Sequence, residues 1–132
     1  MPRTAEHEIE QQEQGPVVAR ETELGDLTVS VVTFREQLDM GPVPAGLPGG
    51  SCACPHWGVL RAGRAEVRYD DGRAETVEPG DLYVMTPGHV PVFAAGTELV
   101  MFSPTAELTA TDRAIQEYVA AQYGDQEAAA TP

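Results

Sequence analysis

Four of the five histidine and cysteine side chains in this 132-residue sequence fall in two short segments. Cys52, Cys54 and His56 alternate with other residues in the first segment, and His89 follows a Pro-Gly pair in the second. Because successive side chains of a β-strand point to opposite faces, a strand here would place the first three on one side. Thiolate and imidazole are typical zinc ligands, and copper and iron stay open. The spacing therefore indicates a metal site, provided that a neighbouring strand brings His89 to the same point.

The same residues also fit an ordinary protein interior, and both interpretations stay open at this point. Cysteine is among the most buried residue types and often packs as a small hydrophobe, and His56 could be a hydrogen-bonded interior histidine. His7, the remaining histidine, lies in an acidic N-terminal segment and is expected to be solvated. Trp57 is expected to pack in the core or at its rim rather than to contact a substrate.

The segments around these residues have the pattern of short β-strands joined by turns. Leu27–Phe34 is rich in β-branched residues, and the apolar residues at 65, 67 and 69 alternate with charged ones. Asp-Gly and Pro-Gly pairs separate the segments, since these pairs suit tight turns. Further strands are predicted at 52–60, 73–78, 82–85, 90–93 and 98–102. Short strands at this spacing predict an all-β sandwich or barrel.

One helix is predicted near the end of the sequence. Ser103 is a candidate N-cap, and Pro104 suits a first helical turn. An apolar face at helical spacing follows, and Gly124 is a candidate end of the helix. The residues of this face are Leu108, Ile115, Tyr118 and Val119.

Length and charge limit the organisation and the partners of the chain. We expect one folded domain over 16–124, a disordered acidic tail over 1–15 and a flexible tail over 125–132. The formal net charge is −13, so the surface repels phosphate, and nucleic acids and anionic membranes are excluded as partners. No apolar run is long enough to span a membrane, and the first residues do not fit a signal peptide. We expect reduced cysteines and a cytoplasmic location.

The stretch Cys52–Pro104 resembles the cupin superfamily of small β-barrels. The second cupin motif runs Gly, five residues, Pro-x-Gly, two residues, His. Gly80 and Gly88 occupy its two glycine positions here, and a threonine stands at the proline position. Pro91 occupies the histidine position, while His89 lies two residues earlier.

The first cupin motif, which runs His-x-His, three or four residues, Glu, six residues, Gly, is similar in its spacing. If it ends at Gly63, His56 takes the place of the glutamate, Cys52 that of the second histidine and Gly50 that of the first. The chain thus departs from the standard cupin ligands but has a ligand-capable residue at or near most of the positions. The CACPHWG and PGH segments are also similar to a group of uncharacterised small bacterial cupins.

The resemblance implies an all-β cupin double-stranded β-helix, or jelly-roll, barrel with a short C-terminal α-helix. It also implies that Cys52, His56 and His89 meet near the mouth of the barrel. If Cys54 binds as well, the site is a closed tetrahedron with a structural role. If Cys54 only packs, one position stays open for a water or a substrate oxygen, and this is the alternative we favour.

The function implied by the resemblance is a metal-binding cupin, with zinc favoured, acting on a small oxygenated metabolite. Isomerase, cyclase or lyase chemistry fits better than dioxygenation. Tyr83, in the second motif, is the candidate proton donor to a substrate oxygen, although a core aromatic is the simpler interpretation. The alternatives are a non-catalytic small-molecule or metal-binding cupin, such as a sensor or carrier, and a barrel without an ion. We also expect a homodimer, formed by exchange of an N-terminal strand at Val17–Leu24.

Overall fold

The computed structural model describes residues 2–40, 54–111, 113, 116, 117, 120 and 121. Within this part of the chain a 3-10 turn at Glu6–Glu8 precedes ten β-strands. The strands are β1 (Gln11–Gln14), β2 (Val17–Leu24), β3 (Leu27–Phe34), β4 (Leu38–Asp39), β5 (His56–Ala62), β6 (Ala65–Tyr69), β7 (Ala74–Val77), β8 (Leu82–Met85), β9 (His89–Phe93) and β10 (Glu98–Pro104). Helix α1 follows from residue 105, with 105–111, 113, 116, 117, 120 and 121 helical.

The strands form two antiparallel sheets that enclose one apolar core. The larger sheet has the order β1-β2-β3-β10-β5-β8, and the smaller has the order β4-β9-β6-β7. Leu60, Leu99 and Val67 are almost completely buried between the sheets. Phe34 of the larger sheet stacks on Phe93 of the smaller one, with ring centroids 4.2 Å apart. This architecture confirms the predicted all-β jelly-roll class with a short C-terminal helix.

The strand pattern of the sequence agrees with the structure where hydrophobic alternation is strongest. β6 alternates buried and exposed residues along its whole length and forms a hairpin with β7 across the Asp-Asp-Gly turn. β3 and β8 have the predicted bounds. Five consecutive residues of β3, from 28 to 32, are buried, and the strand lies between β2 and β10 in the larger sheet.

The N-terminal segment has regular structure, which differs from the disordered tail expected over 1–15. β1 pairs with β2, so the backbone groups on that side of β1 are satisfied within the sheet. Arg20 Nη1 donates to the carbonyl oxygen of Ile9 at 2.6 Å, and Arg61 forms an ion pair with Glu6 at 3.0 Å. Ile9 itself is buried. The polar composition of this segment gave no sign of these contacts, since they depend on residues far along the chain.

The end of β10 corrects the predicted start of the helix. β10 continues through Pro104, and α1 begins at residue 105, so Ser103 is a strand residue and not an N-cap. The ladder with β3 extends to the pair of Pro104 and Leu27, which keeps this segment extended. Leu108 is buried as predicted, whereas the other members of the predicted apolar face, Gly124 and the tail over 125–132 lie outside the described residues. No helix in the described part of the chain is long and apolar enough to cross a membrane.

The outer face of the larger sheet carries exposed apolar side chains on β8, the strand that ends this sheet in the described structure. Leu82 is 85% exposed and Val84 is 61% exposed. They lie opposite Val59 and Trp57 of β5. Trp57 is therefore at the edge of an outward apolar surface, which fits the rim position expected for it.

Candidate functional site

The two sheets bring His56 and His89 together in the interior. His56 is the first residue of β5 in the larger sheet, and His89 is the first residue of β9 in the smaller sheet. Their ring centroids are 4.8 Å apart, with an edge-to-face angle of 62° between the rings. The two residues are 5% and 2% exposed, respectively. The structure thus joins two of the four residues that the sequence singled out as metal ligands.

Each of the two imidazoles has its Nδ1 atom held by an oxygen. His89 Nδ1 donates to the backbone carbonyl oxygen of Thr86 at 2.7 Å. His56 Nδ1 lies 2.7 Å from the hydroxyl oxygen of Ser103 on the neighbouring strand β10. Because a carbonyl oxygen only accepts, the proton of neutral His89 is on Nδ1, and its Nε2 carries the lone pair.

Burial keeps both imidazoles neutral. It lowers the pKa of His56 from 6.5 to about 3, chiefly because the charged ring is desolvated and also because His89 would repel a second positive charge. Burial also lowers the pKa of His89, although its bond to the Thr86 carbonyl opposes this shift. A neutral imidazole is the form that binds a metal ion, so both rings have the protonation state that a metal site needs.

Cys54 lies beside the histidine pair, and Cys52 lies outside the described residues. The Sγ atom of Cys54 is 4.0 Å from His56 Nδ1 and 3.5 Å from the carbonyl oxygen of Pro55, and the residue is fully buried. β5 begins at His56, so Cys54 precedes the strand. The alternation of side chains along a strand therefore does not predict the side on which Cys54 lies. Within the described ranges, no group of three or more His, Cys, Asp or Glu side chains is placed to hold a metal ion.

Tyr83, the candidate proton donor, has a structural hydrogen bond. Its hydroxyl donates to the carbonyl oxygen of Val100 at 3.2 Å, and the residue lies opposite Gly58 in the pairing of β8 with β5. Tyr83 is 8% exposed, and burial raises the pKa of its hydroxyl. These contacts favour the core interpretation, and a role in proton donation stays a prediction.

Tyr83→Phe is therefore expected to lower the free energy of unfolding by about 1 kcal/mol, the usual net contribution of one hydrogen bond. Urea denaturation followed by the fluorescence of Trp57, the single tryptophan, measures this change. Tyr69→Phe is the matched control, since Tyr69 is equally buried and its hydroxyl has no hydrogen bond among the described residues. If Tyr83→Phe removes a measured activity at unchanged stability, the proton-donor role is supported instead.

The turn before His89 depends on a close contact between two loops. Gly88 has φ +95°, and a Cβ atom added to it would lie 2.6 Å from Oδ1 of Asp70. The backbone N–H of Asp70 donates to the carbonyl oxygen of Gly88 at 3.0 Å. The positive φ thus favours glycine at position 88, directly before the start of β9 at His89, and the Asp70 carboxylate packs against it.

Sequence reasoning missed the two oxygen partners of the histidines. Leu99, Met101 and Ser103 are two positions apart, so in a strand their side chains share one face. This alternation was the one sequence pattern that could have indicated that Ser103 faces inward. Thr86 contributes a backbone carbonyl, so no side-chain pattern indicates it. The histidines can be identified from the sequence, whereas their hydrogen-bond partners can be identified only once the pairing of the strands is known.

Comparison with known proteins gives structural likenesses only. The sequence matches no family model and no curated protein. The fold is similar to oxalate decarboxylase from Lactobacillus farciminis, a formate complex, at 18% identity over 79% of this chain and 32% of that chain (TM-score 0.57). It is also similar to an RmlC-like cupin from Shewanella frigidimarina, at 16% identity over 76% of this chain and 88% of that one (TM-score 0.54). KdgF from Halomonas sp. is 18% identical, with 76% and 90% covered (TM-score 0.50).

These likenesses differ in how much of the other protein they cover. This chain spans about a third of the oxalate decarboxylase chain but most of the RmlC-like cupin and of KdgF. The similarity therefore extends over most of the length of the RmlC-like cupin and of KdgF. The chain has the fold of a small cupin.

Proposed function

We propose that this protein is a metal-binding cupin whose site is built on His56 and His89. The observation that carries the proposal is the pair of buried rings 4.8 Å apart, each with its Nδ1 atom held by an oxygen. Metal-binding histidines usually have such a partner on the second ring nitrogen, which orients the ring and leaves the other nitrogen for the metal. Nε2 of each histidine would be the ligand atom.

The donor set fits a metal that prefers nitrogen and sulfur. The described cluster contains two neutral imidazoles and the thiol of Cys54, which suits zinc, iron or copper better than magnesium or calcium. Cys54 approaches the Nδ1 edge of His56, away from the proposed ligand atom. We therefore propose Cys52 as the third ligand and zinc as the metal. A bound ion of this kind polarises a carbonyl group or lowers the pKa of a bound water.

For the activity, we propose isomerase, cyclase or lyase chemistry on a small oxygenated metabolite. The residues beside the histidines are apolar and buried, with Met85 opposite His56 in the sheet and Leu60 two positions beyond Gly58. Such surroundings exclude water and strengthen the polar contacts that a bound substrate makes. The oxalate decarboxylase with a similar fold was solved with formate, itself a small oxygenated molecule.

A non-catalytic sensor or carrier is the second candidate function. One observation favours it: the hydroxyl of Tyr83, the proposed proton donor, is engaged by the Val100 carbonyl. Turnover of a substrate would support the enzyme and contradict the sensor or carrier, whereas a bound metal ion is expected for both.

Metal analysis of protein purified without chelators tests the proposal. We expect about one zinc per chain in the wild type and a loss of most of the metal in His56→Ala and in His89→Ala. His7→Ala is the matched control, because His7 is exposed on the N-terminal turn. A wild-type content well below one ion per chain would contradict the proposal.

The two cysteines distinguish an open site from a closed one. If Cys52 is the third ligand and Cys54 only packs, Cys52→Ala loses metal as fully as His56→Ala does, while Cys54→Ala retains it. Equal loss in both cysteine variants would show a closed four-ligand site, which is typical of a structural role.

The oligomeric state and the location of the protein stay predictions. β2, the strand expected to be exchanged between protomers, pairs with β3 of its own chain over Val17–Leu24. Sedimentation of the purified protein measures whether it is nevertheless a homodimer. A cytoplasmic location rests on the sequence alone.

A further inference from the structure

The exposed large apolar side chains of the described residues lie together on one strand. They are Leu82 and Val84 of β8, which are 85% and 61% exposed. Their pairing partners on β5, Val59 and Trp57, lie partly buried on the same face of the larger sheet. Single exposed apolar residues are normal on a protein surface, whereas a contiguous apolar patch marks an interaction site.

The backbone of β8 offers hydrogen-bonding groups at the same place. Among the described strands, β8 pairs with β5 alone. The N–H of Leu60 on β5 donates to the carbonyl oxygen of Asp81 at 3.1 Å. Because these groups alternate in direction along an antiparallel strand, those of residues 83 and 85 also point to β5. The N–H and C=O groups of Leu82 and Val84 therefore point away from β5, toward the edge of the sheet.

This edge lacks the features that usually protect an edge strand, which are charged side chains, proline and bulges. β1, at the other edge of the larger sheet, consists of glutamine and glutamate. The strand Leu82–Met85 contains no charge and no proline, and its pairing with β5 is regular. Such an edge can receive an extended segment as an additional strand.

Carboxylates lie at both ends of the edge. Glu78 and Asp81 precede β8, are exposed, and take part in none of the ion pairs between described residues. The carboxylate of Asp70 packs against Gly88, three residues after the end of β8. Arg61, the arginine of β5, is already paired with two glutamates. Charge complementarity therefore favours a segment with apolar residues in its middle and basic residues at its ends.

A second copy of this chain does not meet that requirement. If two β8 strands paired antiparallel with Leu82 of each opposite Val84 of the other, Asp81 would lie opposite Met85. The acidic residues before β8 in each copy would then approach the Asp70 end of the other copy. The net charge of −13 adds to this repulsion.

We propose that the edge of β8 is a docking site for an extended basic segment of another protein. The segment adds to the six-stranded sheet as a seventh strand. Its alternate apolar side chains pack on Leu82 and Val84, and its flanking Lys or Arg side chains face the carboxylates. The docking site is independent of the proposed metal site, because β8 contains none of the proposed ligands.

Titration with a designed peptide tests this docking site. The probe is acetyl-Lys-Arg-Val-Thr-Val-Arg-Lys-amide. Trp57, the single tryptophan, lies directly opposite Val84, so a strand added at this edge changes its surroundings. We expect a saturable change in Trp57 emission, with the largest ¹H–¹⁵N amide shifts at Leu82 and Val84. No saturable change at about 1 mM peptide would overturn the proposal.

Two further peptides separate strand addition from attraction between charges alone. N-methylation of both valines keeps the charge but removes the N–H groups that would donate to β8, and we expect at least about 10-fold weaker binding. The reordered peptide acetyl-Val-Lys-Arg-Thr-Lys-Arg-Val-amide is expected to lose affinity to a similar extent. Equal binding of all three peptides would show that only charge is recognised and would refute the docking site.

Variants of the protein test the two sides of the recognition. Leu82→Thr/Val84→Thr keeps strand-favouring side chains and is expected to bind the probe at least about 10-fold more weakly, because the apolar contact is lost. Glu78→Gln/Asp81→Asn is expected to weaken binding at low salt more than at high salt. Glu23→Gln is the control, because Glu23 is exposed on β2, three strands away from the β5–β8 pair's outer edge. Wild-type affinity in a folded threonine variant would contradict the proposal.

Sedimentation of the protein without peptide tests the other occupant of the edge. We expect the wild type and Leu82→Thr/Val84→Thr to sediment alike, because the edge is not used between copies. A wild-type oligomer that dissociates in this variant would show that a second copy occupies the edge, and it would overturn the proposal. Circular dichroism shows beforehand that each variant is folded.

Discussion

Gly58→Ala is expected to lower the free energy of unfolding by more than about 3 kcal/mol, at or beyond the upper end for overpacked residues. An added Cβ atom would overlap the carbonyl oxygen of Val100 and lie 2.8 Å from its carbonyl carbon and 3.1 Å from Met101 Cα. These are backbone atoms of β10, which is hydrogen-bonded on its other side to β3 and cannot move away. Urea denaturation followed by Trp57 fluorescence and circular dichroism measures the effect.

The same substitution is expected to damage the histidine site. Gly58 lies two residues after His56 on β5, and any widening between β5 and β10 separates His56 from Ser103. Gly80→Ala is the control, since Gly80 has φ +91° but no atom within 4 Å of an added Cβ. That variant measures backbone strain alone, about 1–2 kcal/mol. A Gly58→Ala protein no less stable than Gly80→Ala would show that β5 and β10 adjust to the added methyl group.

Acidification is the second large effect that we expect. Both buried imidazoles have a lowered pKa in the folded protein, about 3 for His56, against 6.5 in the unfolded chain. Protons therefore bind the unfolded chain more readily, so stability is complete above pH 6.5 and falls as the pH decreases toward 3. For His56 alone the loss between pH 7.5 and 5 is roughly 2 kcal/mol, and His89 adds to it in the same direction.

Denaturation midpoints at intervals between pH 7.5 and 5 measure this effect in metal-free protein. His56→Gln is expected to flatten the profile, because its side chain gains no proton in this range. His7→Gln, on the exposed N-terminal turn, is expected to leave the profile as in the wild type. A wild-type stability that does not change over this range would mean that the two rings are not buried as the structure places them.

Much of the sheet structure follows from local patterns in the sequence. Leu27–Phe34 and Leu82–Met85 have the predicted bounds, since β-branched runs and flanking turn residues act over a few positions. The histidines were singled out because residue type and spacing carry their chemistry. The structure places each of them at the start of a strand, with the two ring centroids 4.8 Å apart.

The remaining features depend on contacts between distant residues. Ser103 was expected to cap a helix because Ser-Pro suits a helix start, but pairing of β10 with β3 keeps the strand extended through Pro104. The acidic segment before residue 15 has few apolar residues, yet Arg20 and Arg61 anchor it to the larger sheet. The expected strand at 52–60 begins at His56 in the described part, so the place of Cys54 could not follow from alternation.

Because β8 is an edge strand in the described structure, the net negative charge of the protein has a role in preventing association between molecules. Leu82 and Val84 project from a strand that ends its sheet in the described structure, and such an edge is a template for association between molecules. A net charge of −13 opposes that association, because every copy repels every other. The repulsion disappears near the isoelectric point of about 4.4, within the pH range in which the two buried imidazoles destabilise the fold. Colloidal and conformational stability are thus lost together on acidification.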